Sequence, residues 1–90
     1  MTRALALGLA LAAAPATAET VPPAQVDRVV EVFLAMGCEI NPMTEGAKAE
    51  KAAGLDTLEF SKALAVLDSR GLATMDDATF TFRLNHKDCP

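Results

Sequence analysis

Three side chains, Cys38, His86 and Cys89, are of the types that bind soft metals or exchange disulfides, and Met36 and Asp88 lie near them in the chain. Two thiolates with an imidazole would suit copper(I) or zinc. A cysteine pair alone would suit thiol exchange or a structural bond. The spacing supports metal and redox chemistry poorly. The chain has no C-x-x-C, no C-x-x-C-H for haem attachment, and only one histidine. His86 stands in a polar tail, where a solvated imidazole is the ordinary case. Met36, Met43 and Met75 share no helical face, so they form no methionine strip.

Acid–base and hydrolytic chemistry have less to work with. Ser61 and Ser69 fall on a helix surface, far in sequence from His86, and Asp76-Asp77 has the composition of a turn. Two carboxylates in a solvated turn lack the desolvation that would separate their proton affinities into an acid and a base. The chain is therefore expected to be non-enzymatic, with no resident cofactor or metal.

The elements that hold these residues begin after an N-terminal leader. Met1-Thr2-Arg3 carries one positive charge, Ala4 to Ala14 is apolar, and Pro15 precedes Ala16-Thr17-Ala18. A charged start, a short apolar centre and an A-x-A site are the parts of a secretion signal, with cleavage expected after Ala18. The apolar run is shorter than the roughly 20 residues that span a bilayer. No lipobox cysteine follows the apolar run to take a lipid anchor. The expected organisation is residues 1–18 as a secretion signal peptide and residues 19–90 as one small domain, periplasmic or secreted, with no direct membrane insertion.

The 90-residue chain carries a net charge of −4, and loss of Arg3 leaves the remainder more acidic. Such a balance favours solubility and repels polyphosphates and anionic membranes. With four phenylalanines and no tryptophan or tyrosine, the core must be largely aliphatic. A domain this small is marginal without a staple, and Cys38 with Cys89 can supply one in an oxidising compartment.

Pro22-Pro23 suits the first turn of a helix. Val26, Val29, Val30, Phe33 and Leu34 then recur at helical spacing, and Gly37 closes the element. Cys38-Glu39-Ile40 is a connector or a very short strand. Asn41-Pro42 breaks the chain before a second helix over 44–53, whose repeating face is Gly46, Ala49, Ala52 and Ala53. Asp56 and Glu59 form a near capping box for a third helix that buries Phe60, Ala63, Leu64 and Leu67 and ends at Ser69-Arg70-Gly71. Leu72 to Met75 reads as one hairpin strand, Asp76-Asp77 as its turn, and Ala78 to Leu84 as the other strand, alternating Ala78, Phe80, Phe82 and Leu84 on one face. The fold class is α+β, mostly α: three helices and a C-terminal β-hairpin.

Thr44-Glu45, the short alanine-rich helix, Gly54-Leu55, the capped helix ending Leu64-Ala65-Val66-Leu67-Asp68-Ser69-Arg70-Gly71-Leu72, and the hairpin after it resemble a winged helix-turn-helix domain over residues 26–84. The resemblance implies that a short strand after the first helix pairs with the last hairpin strand, and Cys38-Glu39-Ile40 stands at that position. Antiparallel pairing there brings Cys38 beside the tail beyond Leu84, so Cys38 and Cys89 are expected to form a disulfide. Closing such a loop of about 50 residues stabilises by roughly 4 kcal/mol in the chain-entropy model.

In the family the third helix reads DNA. Here its outward face carries Glu59, Ser61, Lys62, Ala65, Asp68 and Ser69, and the wing adds only Arg83 and Lys87. Phosphate contacts from lysine and arginine supply non-specific DNA affinity, so nucleic acid is not an expected partner. The expected role is a protein-binding or accessory domain, a subunit of a periplasmic or membrane-anchored complex, using Glu59, Lys62, Arg70 and Arg83 on the third helix and wing. The alternatives are a small periplasmic metal or thiol-redox protein using Cys38, His86 and Cys89, and a cytoplasmic DNA-binding regulator.

Overall fold

The computed structural model describes residues 21–90, so the expected secretion signal over residues 1–18 lies outside the described residues. The elements run α1 (Pro23–Ala35), β1 (Glu39–Ile40), α2 (Pro42–Ala53), α3 (Thr57–Ser69), β2 (Ala73–Asp76) and β3 (Thr81–Leu84). The three strands form one antiparallel sheet in the order β1-β3-β2. Glu39 pairs with Arg83 and Ile40 with Phe82, while β2 pairs with β3 from Ala73↔Leu84 to Asp76↔Thr81. The chain is α+β, mostly α, with one disulfide, Cys38–Cys89.

α1 packs against both α2 and α3 and reaches β3. Its buried residues are Val26, Val29, Val32 and Phe33. Val30 and Leu34, expected in the stripe, are only half-buried. The buried arc of α1 includes Val32 in place of Leu34. Phe33, Ile40, Leu67, Leu84 and Val29 are fully buried. Each such side chain contributes about 1.5–3 kcal/mol relative to exposure.

α2 starts two residues earlier than expected. Asn41 caps it, its Oδ1 accepting from the amides of Met43 at 2.9 Å and Thr44 at 3.3 Å. Pro42 occupies the first turn, where its missing donor costs nothing. The Glu45 carboxylate accepts from the Asn41 amide at 2.8 Å. α2 buries Gly46, Ala49 and Ala53, and Ala52 faces solvent. α3 has the full capping box: Asp56 accepts from the Glu59 amide at 2.7 Å, and Glu59 accepts from the Asp56 amide at 2.9 Å. Its buried face is Phe60, Ala63, Leu64 and Leu67, as the spacing predicts.

The hairpin differs from its sequence pattern. β2 runs one residue further, to Asp76, and residues 77–80 form the turn in place of Asp76-Asp77. The Asp76 side chain accepts from the Ala78 amide at 2.9 Å, which commits Ala78 to the turn. Phe80 has φ 54 and is 52% exposed, so it does not share a face with Phe82 and Leu84. The alternation holds only over Thr81–Leu84. Asn41 Nδ2 donates to the Thr79 carbonyl at 3.2 Å, holding the turn against the start of α2.

Asn41 therefore serves two elements. Asn41→Ala should lower stability by about 1 kcal/mol through the cap alone, a drop of roughly 4–8 °C in the circular dichroism melt. An unchanged midpoint would show that the cap contributes nothing in solution.

Candidate functional site

The cysteine site is built by the end of α1. Gly37 takes φ 83, and Cys38 follows at φ 70, an uncommon conformation for a residue with a side chain. The Cys38 amide donates to the Phe33 carbonyl at 2.7 Å, closing the helix end in a Schellman pattern. The Cys38 carbonyl accepts from the Leu84 amide at 2.9 Å, which extends the β1–β3 ladder by one bond. Cys38 is 3% exposed, Cys89 is half-buried, and their Cα atoms stand 5.9 Å apart across the disulfide. The pairing of β1 with β3 puts the two cysteines together, as the strand argument requires.

The tail between them is tied down on its way back. The Asn85 amide donates to the Leu72 carbonyl at 2.8 Å, and its side chain to the Gly71 carbonyl at 3.0 Å. The Cys89 amide donates to the His86 carbonyl at 3.0 Å, closing a turn over 86–89. The Asp88 amide donates to His86 Nδ1 at 3.0 Å. The Asp88 carboxylate lies 3.7 Å from the same nitrogen. Met36 is half-buried on the core side. With both sulfurs in the bond and Nδ1 engaged, Cys38, His86 and Cys89 offer no open ligand set. No cluster of three or more His, Cys, Asp or Glu side chains is placed to hold a metal ion among the described residues.

The four residues expected on a partner surface fall in different settings. Lys62 and Arg70 are exposed on α3 and at its end. Glu59 is spent on the capping box and also accepts from Gln25 Nε2 at 3.4 Å, joining α3 to α1. Arg83 lies on the sheet face opposite Phe82 and Leu84, paired with Glu39 and donating to the Pro90 carbonyl at 3.0 Å. Strand alternation turns Arg83 away from the helices, so it does not join Lys62 and Arg70 on one surface. The exposed large apolar residues are Met43, Leu58, Leu72, Met75 and Phe80.

A groove of about 400 Å³ runs between α2 and α3 and ends on the sheet. Pro42, Gly46 and Glu50 line it from α2, Phe60, Leu64 and Ala65 from α3, and Phe82 from β3. Thr57, Ser61 and Asp68 complete its wall, so Glu50 and Asp68 are its only ionisable residues. Thr57 Oγ1 donates to Glu50 Oε1 at 2.9 Å, fixing that carboxylate beside the groove. Gly46 lies inside α2, where glycine costs about 0.5–1 kcal/mol relative to alanine. A Cβ added there would meet only Glu50 Oε2, at an ordinary 3.8 Å. No contact within the described fold requires the glycine.

Comparison with protein families, curated proteins and solved structures finds no match for this chain. Among the described residues no helix is long and apolar enough to cross a membrane.

The cysteine geometry is that of a staple. Cys38→Ser and Cys89→Ser should each cost a few kcal/mol in denaturant unfolding, while His86→Ala should leave the midpoint nearly unchanged. A cost for His86→Ala equal to that of losing a cysteine would mean that the imidazole and the sulfurs act as one site.

Proposed function

We propose that the chain is an exported, winged-helix-like domain that acts by binding protein, as an accessory or assembly subunit of a periplasmic or membrane-anchored complex. The observation that carries the reading is the Cys38–Cys89 disulfide at the junction of α1, β1 and the tail. A bond of this kind persists in oxidising compartments and is rare where glutathione keeps thiols reduced. The leader of charged start, apolar centre and A-x-A site supports the same compartment. The element order with β1 on β3 supports the winged-helix likeness.

Binding rather than catalysis is supported by what the surface offers. Among the described residues, Leu58, Leu72, Met75 and Phe80 are apolar side chains exposed on the surface of an acidic chain. The outward face of α3, with Leu58, Ser61, Lys62, Ala65, Asp68 and Ser69, carries one cation. Arg83 of the wing is already paired with Glu39. Neither can neutralise a run of phosphates.

Intact-mass measurement of the native protein tests the export reading. The chain should begin at Glu19 and lack the two hydrogens lost to the disulfide. A product that keeps Met1 or Thr2 and reduced cysteines would overturn it. The purified protein should also give no shift with duplex DNA at low ionic strength, where phosphate binding is strongest. Micromolar binding that weakens steeply with salt would restore the regulator reading.

A further inference from the structure

We propose that the groove between α2 and α3 is the docking site for an apolar segment of a partner protein that carries lysine or arginine. The inference rests on the protein-binding reading and names both the surface and the chemistry of its partner. Three observations converge on it. The floor is apolar, with Phe60, Leu64 and Phe82, while the only ionisable groups lining it are the carboxylates of Glu50 and Asp68. Thr57 donates a hydrogen bond to the Glu50 carboxylate beside the groove. Gly46 leaves the floor open, although the helix would gain from a Cβ there and that Cβ would meet only Glu50 Oε2, at an ordinary contact distance.

These features choose among occupants. A phosphate-bearing ligand or an anionic membrane would meet two carboxylates and no cation. A cationic apolar segment meets a matching rim and floor, and its charges steer the encounter. Asn41 holds the turn that bears exposed Phe80 against the α2 start, the end of the groove marked by Pro42. A segment lying along the groove therefore has further apolar surface to cover beyond that end.

The test uses the purified protein and a labelled helical peptide in which leucines face one side and lysines the other, read by fluorescence anisotropy. The wild type should bind this peptide and ignore the version with glutamate in place of lysine. Gly46→Leu should melt no lower than the wild type, because it improves α2, yet lose at least about tenfold in affinity by filling the groove. The pair Glu50→Gln and Asp68→Asn, which keeps size and hydrogen bonding, should lose a similar factor and most of the salt dependence. That pair carries the test should Gly46→Leu fail to fold. Equal binding of the lysine and glutamate peptides, or unchanged binding by folded Gly46→Leu, would overturn the proposal. So would self-association of the wild type that Gly46→Leu abolishes, since the occupant would then be a second copy. If a partner crosslinked to the native protein stays bound to folded Gly46→Leu, the groove is wrong and the protein-binding reading survives.

Discussion

The Cys38–Cys89 bond joins positions 51 residues apart, and the small sheet depends on it. β1 is only two residues long, which gives it few ladder bonds of its own. What holds it on β3 is its flanks: the Cys38 carbonyl takes the Leu84 amide, Ile40 is fully buried, and the disulfide ties Cys38 to the tail that leaves β3. The left-handed backbone at Cys38 is a local cost of about 1–2 kcal/mol, and these contacts together outweigh it. Because β3 is the central strand, its position sets the place of Leu84 in the core and of Phe82 beside the α2–α3 groove.

The helices contribute stability of a more local kind. α1 and α3 each end in a glycine at positive φ, followed by a bond back to the last turn, Cys38 to Phe33 and Leu72 to Leu67. α2 and α3 begin with side-chain caps from Asn41 and Asp56. Each cap contributes about 1 kcal/mol, small against a large core and considerable against a core of this size. The same economy explains Glu59, which closes the capping box and touches Gln25 on α1 in place of standing free for a partner. Charged residues on a small domain are readily absorbed into its own termini and edges, as Arg83 is by Glu39.

The helical periodicity and capping signals were legible where one element decided its own structure. Phe60, Ala63, Leu64 and Leu67 face the core as their spacing demands. α1 buries Val32 ahead of Leu34, which the i, i+3, i+4 stripe does not anticipate. Asn41-Pro42 reads as a break in the chain, yet the same two residues make a good helix start once Asn41 turns its side chain onto the amides of Met43 and Thr44. Ala78 to Leu84 alternates like a strand, but the Asp76 side chain draws Ala78 into the turn, and Phe80 leaves the sheet. The disulfide could be inferred because strand pairing brings its ends together. The groove could not, since three separate elements line it and its central feature is a side chain that Gly46 lacks.

The Cys38–Cys89 tie holds β1 on β3 and, through β3, the surfaces available for binding. Urea unfolding of the wild-type protein, oxidised and after reduction by a dithiol, tests this most directly. Reduction should move the midpoint down by an amount equivalent to a few kcal/mol, with loss of amide-exchange protection at Leu84 before the α3 amides. Superimposable transitions for the two forms, with Leu84 equally protected in both, would contradict the claim.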